Sequence, residues 1–199
     1  MVGQNPHDDL WRRMLTGRAP EVHAERWILA KLPTEPRCDF CSAPFGGVGG
    51  GLLRRVFGRR PSSYNPRICN VCDEFFQSHP GGAEVELSLV FADVRGSTAL
   101  AEGMSATEFS QVMDRFYTVA THAIADARGV IEKFVGDEVA SLYVPGLTGA
   151  DHAAHAIRAA RATLRGTGHG GTEDPWLPVG AGVHTGVAYV GSVGSGGVT

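Results

Sequence analysis

The chain has 199 residues, enough for one domain of ordinary size plus a smaller module. A hydrophobic content of 43% places it with folded globular proteins, and a formal charge of -3 gives no reason to expect nucleic-acid binding. No apolar run approaches the length of a membrane span and no signal-peptide pattern opens the chain, so a cytoplasmic location without a membrane partner is expected.

The charge is uneven. Met1 to Gly82 holds eleven Lys/Arg against eight Asp/Glu, a net of +3, whereas Ala83 to Thr199 holds seven against thirteen, a net of -6. All four cysteines lie in the first part. Turn residues cluster at Pro80-Gly81-Gly82, which sets a boundary between an N-terminal module, 1–82, and a second domain, 83–199.

Residues up to about Gln4 are expected to be disordered. Asp8 or Asp9 is expected to cap a short helix whose Leu10, Trp11, Met14 and Leu15 share one face. A second helix is predicted from Glu21 to Leu32, with Val22, Trp27, Ile28 and Leu29 apolar and Pro33 ending it. Two CxxC pairs follow, Cys38/Cys41 and Cys69/Cys72, with twenty-seven residues between them. Four thiolates satisfy a tetrahedral structural Zn²⁺, as in a zinc ribbon, although the interval is longer than the commonest ribbon spacing. A redox pair, an iron–sulfur centre or unliganded thiols are the alternatives, and disulfides do not suit a reducing compartment. Between the pairs, Gly46 to Gly51 is expected to be a flexible loop. The arginines that follow, Arg54, Arg55, Arg59 and Arg60, lack a stacking platform and read as a solvated cluster rather than a patch for nucleic acid or an acidic partner. Asp73 to Ser78 is predicted to be a short helix.

The second domain opens on LSLVFADVRGST, Leu87 to Thr98. An apolar run bounded by turn residues reads as a buried strand. It ends on Asp93, well placed to hold a hard cation, and a glycine-containing loop then starts a helix at about Gly96, whose first amides suit phosphate. Ser105 and Glu108 form a capping box. The helix behind them carries Phe109, Val112, Met113, Phe116, Val119, Ala120 and Ala123 as a core stripe, and Gly129 is expected to stop it. Two β-rich runs flank Gly136-Asp137, a hairpin tip. If that hairpin shares a sheet with the first strand, Asp137 comes beside Asp93, and two such carboxylates hold two metal ions. The alternative is that Asp137 is only a turn residue and Asp93 only a helix cap.

Pro145 to Gly149 reads as a loop. A helix starting at Asp151 is predicted to carry Ala153, Ala156, Ile157, Ala160 and Leu164 on one side. His152 and His155 have the i, i+3 spacing of possible ligands, but with no acid partner in the pattern they read as surface residues. Val179 to His184 reads as a strand, Thr185-Gly186 as a tight turn and Val187 to Val193 as the partner strand. The order is α+β, a ferredoxin-like split βαββαβ core with a further strand.

FADVRGST, EKFVGDEVA and VGAGVHTGVAYVGSVGS, in that order, resemble the class III adenylate/guanylate cyclase catalytic domain from about Glu84 onward. The resemblance implies conversion of ATP to cyclic AMP and pyrophosphate by two-metal catalysis, with two Mg²⁺ or Mn²⁺ per site. Asp93, Asp137 and the Val94 carbonyl would hold the metals. The backbone of Arg95, Gly96, Ser97 and Thr98 would hold phosphates. Lys133 would read adenine, because an ammonium donates to the acceptor N1 of that base; the alternative is an exposed lysine on the strand surface. A homodimer with active sites at its interface is also implied.

Two departures weigh against a simple match. Gly180 stands where family members often carry a phosphate-binding arginine. The family's next segment, with a second base-reading residue, an asparagine and an arginine, would follow Thr199, so the chain reads as truncated and of reduced activity. A nucleotide-binding pseudocyclase with a regulatory role is the alternative. A diguanylate-cyclase relative fits less well, since the hairpin tip lacks a doubled glycine.

Overall fold

The computed structural model describes residues 7–32, 35–63 and 65–192, without the side chains of residues 21–23 and 192. The expectations for the first four residues, for the Val22 side chain and for a stop at Pro33 lie outside the described residues. The chain forms two compact units. One comprises Met1–Glu86, Val144–Ala150 and Val187–Thr199, and the other Leu87–Tyr143 and Asp151–Gly186.

In the first unit, α1 (Asp8–Leu15) buries Trp11, Met14 and Leu15 as the spacing predicts. Neither aspartate caps it by a side-chain bond; Asp8 instead accepts from the amide of Gly82 at 3.2 Å. The Trp11 indole donates to the carbonyl of His79 at 2.9 Å, which satisfies its one donor inside the core. Helix α2 runs from Pro20 to Leu29, with proline in its first turn, where no hydrogen bond is lost.

The glycine-rich stretch is not a loop. It is helix α3 (Gly47–Phe57), which continues through both Arg54 and Arg55 and ends on Gly58 in the left-handed conformation. Glycine is a weak helix former, and packing explains its use. A Cβ at Gly50 would lie 2.5 Å from the backbone of Phe45, so only glycine lets this helix approach the preceding turn. The helix also accounts for the long interval between the two cysteine pairs. Helix α4 (Asn70–Ser78) starts three residues earlier than expected, because Cys69 is its N-cap and accepts from the amide of Cys72.

The sheet has four strands in the order β2-β3-β1-β4: β1 is Gly81–Val94, β2 Val130–Val135, β3 Glu138–Tyr143 and β4 Val179–Ser192. With its two long helices this is the ferredoxin-like βαββαβ core. Strand β1 pairs antiparallel with β3, Ser88 opposite Tyr143 and Asp93 opposite Glu138. In the β2–β3 hairpin a bulge at Glu132 shifts the register between Ile131 and Lys133. The short helix α5 (Ser97–Glu102) follows β1, and α6 (Ala106–Asp126) then opens on the predicted capping box, with both of its bonds formed. The buried side of α6, with Met113, Phe116, Ala120 and Ile124, packs on Ala92, Val94, Ile131 and Val139 of the sheet.

The ends of elements are where local pattern and structure part. Arg128, not Gly129, takes the left-handed turn after α6, with φ of 60°. Gly129 is needed for space, since a Cβ there would meet the Tyr143 ring at 2.6 Å. The expected loop at Pro145 is the short helix α7 (Pro145–Thr148). In α8 (His152–Gly166) the buried positions are His152, Ala156, Ala159, Ala160 and Thr163. Ile157 faces outward, and His152, expected on the surface, is buried with Nδ1 2.9 Å from Ser88 Oγ. The expected turn at Thr185-Gly186 is absent: β4 is one fourteen-residue strand. Thr185 Oγ1 bonds Ser88 Oγ on neighbouring β1 at 2.6 Å, so the dipeptide follows the adjacent strand instead of turning back.

The two neighbouring glycines of α3 separate packing from propensity. Gly50→Ala should destabilise the protein by about 1–3 kcal/mol through its backbone clash. Gly51→Ala, with nothing within 4 Å of its Cβ, should stabilise by up to about 1 kcal/mol. Urea denaturation of both variants checks the pair.

Candidate functional site

The site forms where β1 ends and the β2–β3 hairpin turns. Because Asp93 lies opposite Glu138, the preceding residue, Asp137, comes to the end of β1. The Val94 amide fixes this approach by donating to the Asp137 carbonyl at 3.2 Å. Gly136 makes the turn at φ of 59°, a value that suits glycine. Tyr117 of α6 donates its hydroxyl to the Gly136 carbonyl, and its ring packs 4.6 Å from that of Phe134. The hairpin tip is therefore held from the helix side as well. No sequence pattern marked Tyr117, which sits beside the core stripe rather than in it.

Slight desolvation, and then the like charge of the neighbouring Asp137, push the Asp93 carboxyl above its ordinary value. Two carboxylates held together in this way suit a hard divalent cation, which supplies the charge that neither side chain offers the other. Beside them is an open depression of about 490 Å³ lined by Ser97, Thr98, Ala101, Glu102, Phe109, Gly136 and Asp137.

The loop residues divide by what their amides do. The Arg95 amide donates to the Pro178 carbonyl at 2.8 Å, so it is committed to the fold and not to phosphate as expected. Gly96, in the left-handed conformation, Ser97 and Thr98 begin α5, where no preceding turn supplies carbonyl partners. The Arg95 side chain was not singled out by sequence. Its Nε and Nη2 lie 2.9 and 3.1 Å from where a Cβ on Gly180 would be. A guanidinium thus occupies the space over the glycine, although it comes from the turn after β1 and not from β4. Lys133 is exposed on the edge strand β2, opposite Ala140, with Nζ 3.5 Å from Glu132 Oε2. Within one chain it is not part of the acid pair.

The second cluster is the cysteines. The four Sγ atoms lie within 4.8 Å of one another. Cys38 and Cys72 are 3.9 Å apart and Cys41 and Cys69 3.7 Å, too far for disulfides. Sulfurs placed tetrahedrally about 2.3 Å from a central ion stand about 3.8 Å apart, so the residues fit one tetrahedral metal. The Cys41 and Cys72 thiols are pushed up, first by their place beside Cys38. The Cys69 amide donates to Cys38 Sγ at 3.3 Å, and Arg59 Nη1 to Cys41 Sγ at 3.2 Å. Arg59 also pairs with Glu25, so it does not belong with the solvated arginines. In short, the cluster is wired by N–H···S bonds, the usual support for thiolate ligands.

No family model matches the chain. Adenylate cyclase from Anabaena cylindrica is 32% identical over 114 residues, covering 54% of this chain and 22% of the relative. An uncharacterized protein of Mycobacterium tuberculosis is 36% identical over 116 residues, covering 58% of this chain and 20% of the relative. The chain thus spans about a fifth of the length of these curated relatives. The adenylyl cyclase CyaB from P. aeruginosa is 26% identical with a TM-score of 0.50, covering 57% of this chain and 62% of that one. A bacterial light-regulated adenylyl cyclase, 21% identical with a TM-score of 0.50, shares the fold over 63% of this chain and 41% of its own.

The like-charged pair gives a measurable penalty. Asp93 is raised in the folded state, so the stability it lends is present at low pH and is lost as pH rises through its carboxylate range. Without divalent metal, Asp137→Asn should therefore melt higher than the parent at neutral pH, with the gap closing as pH falls through that range. Added Mn²⁺ should raise the melting temperature of the parent more than that of the variant. Differential scanning fluorimetry across pH checks both. In sequence and in fold, the chain is similar to the catalytic domains of class III adenylyl and guanylyl cyclases.

Proposed function

We propose that this chain is a nucleotide cyclase domain that converts ATP to cyclic AMP and pyrophosphate. The observation that carries the reading is the meeting of Asp93 and Asp137 beside a depression that α5 opens with Ser97 and Thr98. Asp93, Asp137 and the Val94 carbonyl would hold two Mg²⁺ or Mn²⁺ ions. When bound, such ions lower the pKa of the attacking ribose hydroxyl and take up charge on the leaving pyrophosphate.

The chain's own residues do the rest. The amides of Gly96, Ser97 and Thr98 would bind phosphate oxygens. The Arg95 guanidinium, lying over Gly180, would supply the phosphate-facing cation that the strand itself lacks. Lys133 would read adenine in the site of a second copy, since it stands away from the acids of its own chain; this implies a homodimer. Phe91, Val135 and Val183 leave apolar surface exposed on three strands, which supports a partner on the sheet.

Residues 1–82 would form a module folded around one Zn²⁺ on Cys38, Cys41, Cys69 and Cys72, ahead of a catalytic domain over 83–199. Four reduced thiols favour the cytoplasm, and no described helix is long and apolar enough to cross a membrane.

Two measurements test this reading. Calorimetry with Mn²⁺ should show ATP bound more tightly than GTP, and Asp93→Ala or Asp137→Ala should each weaken ATP binding by tenfold or more, as a metal left with one carboxylate is poorly held. Lys133→Glu should shift preference toward GTP, whose N1–H needs an acceptor. Metal-dependent ATP binding that survives both alanine changes contradicts the site. Elemental analysis should find about one zinc per chain, and a folded module with only trace zinc contradicts the metal assignment.

A further inference from the structure

From Phe40 to Cys72 the chain has five arginines and no acidic residue. Two of these arginines are committed: Arg59 to Glu25 and Cys41, and Arg67 to Asp39. Arg54, Arg55 and Arg60 are exposed and make no ion pair among the described residues. Helix α3 carries the first two, and it also carries an apolar stripe that points away from its own unit. Val48 is 90% exposed, Leu52 58% and Val56 59%, at i, i+4 and i+8, and Phe57 at the helix end is 66% exposed. The buried side of the same helix is Gly49, Gly50 and Leu53. At 100° per residue the stripe and Arg55 lie side by side on the outer face.

Against the expectation of no membrane partner, we propose that α3 is an anionic-lipid binding helix that docks this chain onto the surface of a membrane bilayer without crossing it. An aliphatic stripe with Arg55 beside it and Arg54 on the opposite, polar side, on a short helix with no acid, is the pattern of an interfacial helix. The aliphatic side chains enter the acyl boundary, while the long arginine side chains reach back to phosphate headgroups. Charge chooses the occupant: a segment with five arginines and no acidic residue favours an anionic surface, where each arginine adds its own attraction. The proposal is independent of the cyclase reading, since none of these residues belongs to the acid pair or the cysteine cluster.

The test is flotation of the full chain with vesicles of phosphatidylcholine alone and of phosphatidylcholine mixed with phosphatidylglycerol. Binding is expected to the mixed vesicles only, and to weaken with added salt. Arg54→Ala with Arg55→Ala should lower the partition coefficient on the order of 30-fold, and Leu52→Ser by about tenfold or more. Both variants alter exposed side chains, and unchanged zinc content would show that the module remains folded. In a Val48→Trp variant the indole emission should shift to the blue on adding mixed vesicles, which places α3 itself at the acyl boundary. Equal binding to both vesicles, no loss in the arginine variant, or no blue shift would overturn the proposal. So would retention by an oligonucleotide in place of the vesicles.

Discussion

Asp93 and Asp137 stand side by side because the β1–β3 ladder sets Asp93 across from Glu138 and the glycine turn returns the chain one residue before it. Placing two carboxylates within hydrogen-bond reach costs stability unless a proton or a cation lies between them. Much of the second unit is arranged around keeping them there. The Val94 amide holds the Asp137 carbonyl, Tyr117 holds the Gly136 carbonyl, and the Arg95 amide is fixed to Pro178 on the approach to β4. Under these, Phe116 and Ala120 fill the core without exposure. The pair is thus held by these bonds and by close packing beneath, an arrangement in place before any ligand binds.

A similar economy governs the cysteine cluster in the first unit. The first CxxC lies on a short turn closed by the Arg37–Pro44 bridge, and the second opens α4 directly after the Pro61–Cys69 bridge. Cys69 serves two purposes: it caps α4 and offers its sulfur at the positive end of that helix, where a thiolate is favoured. Arg59 reaches the cluster from the chain just beyond α3 and ties it to Glu25 of α2, so the sulfurs and two helices share one network.

The sequence made much of this legible. The acid-ended strand, the hairpin tip, the capping box and the paired CxxC spacing each encode their geometry locally, and each lies where it was expected. Features that depend on a distant neighbour did not show. Gly46 to Gly51 reads as a flexible loop until Phe45 is seen to need glycine at position 50. Thr185-Gly186 reads as a turn until Ser88 on the neighbouring strand takes the Thr185 hydroxyl. His152 reads as a surface residue until Ser88 meets its ring from inside. Arg95 illustrates the same limit at the site. Its backbone was expected to bind phosphate, whereas that amide donates to the Pro178 carbonyl and the side chain lies over a glycine eighty-five positions away.

The central claim is that the two aspartates are one cation-binding unit that serves a nucleotide. Electron paramagnetic resonance of free Mn²⁺, titrated with protein in the presence of a non-cyclisable ATP analogue, measures it without requiring turnover. The account predicts about two Mn²⁺ taken up per bound nucleotide, falling to the level of nucleotide alone in the Asp93→Ala, Asp137→Ala double variant. Equal uptake by the parent and the double variant would contradict it.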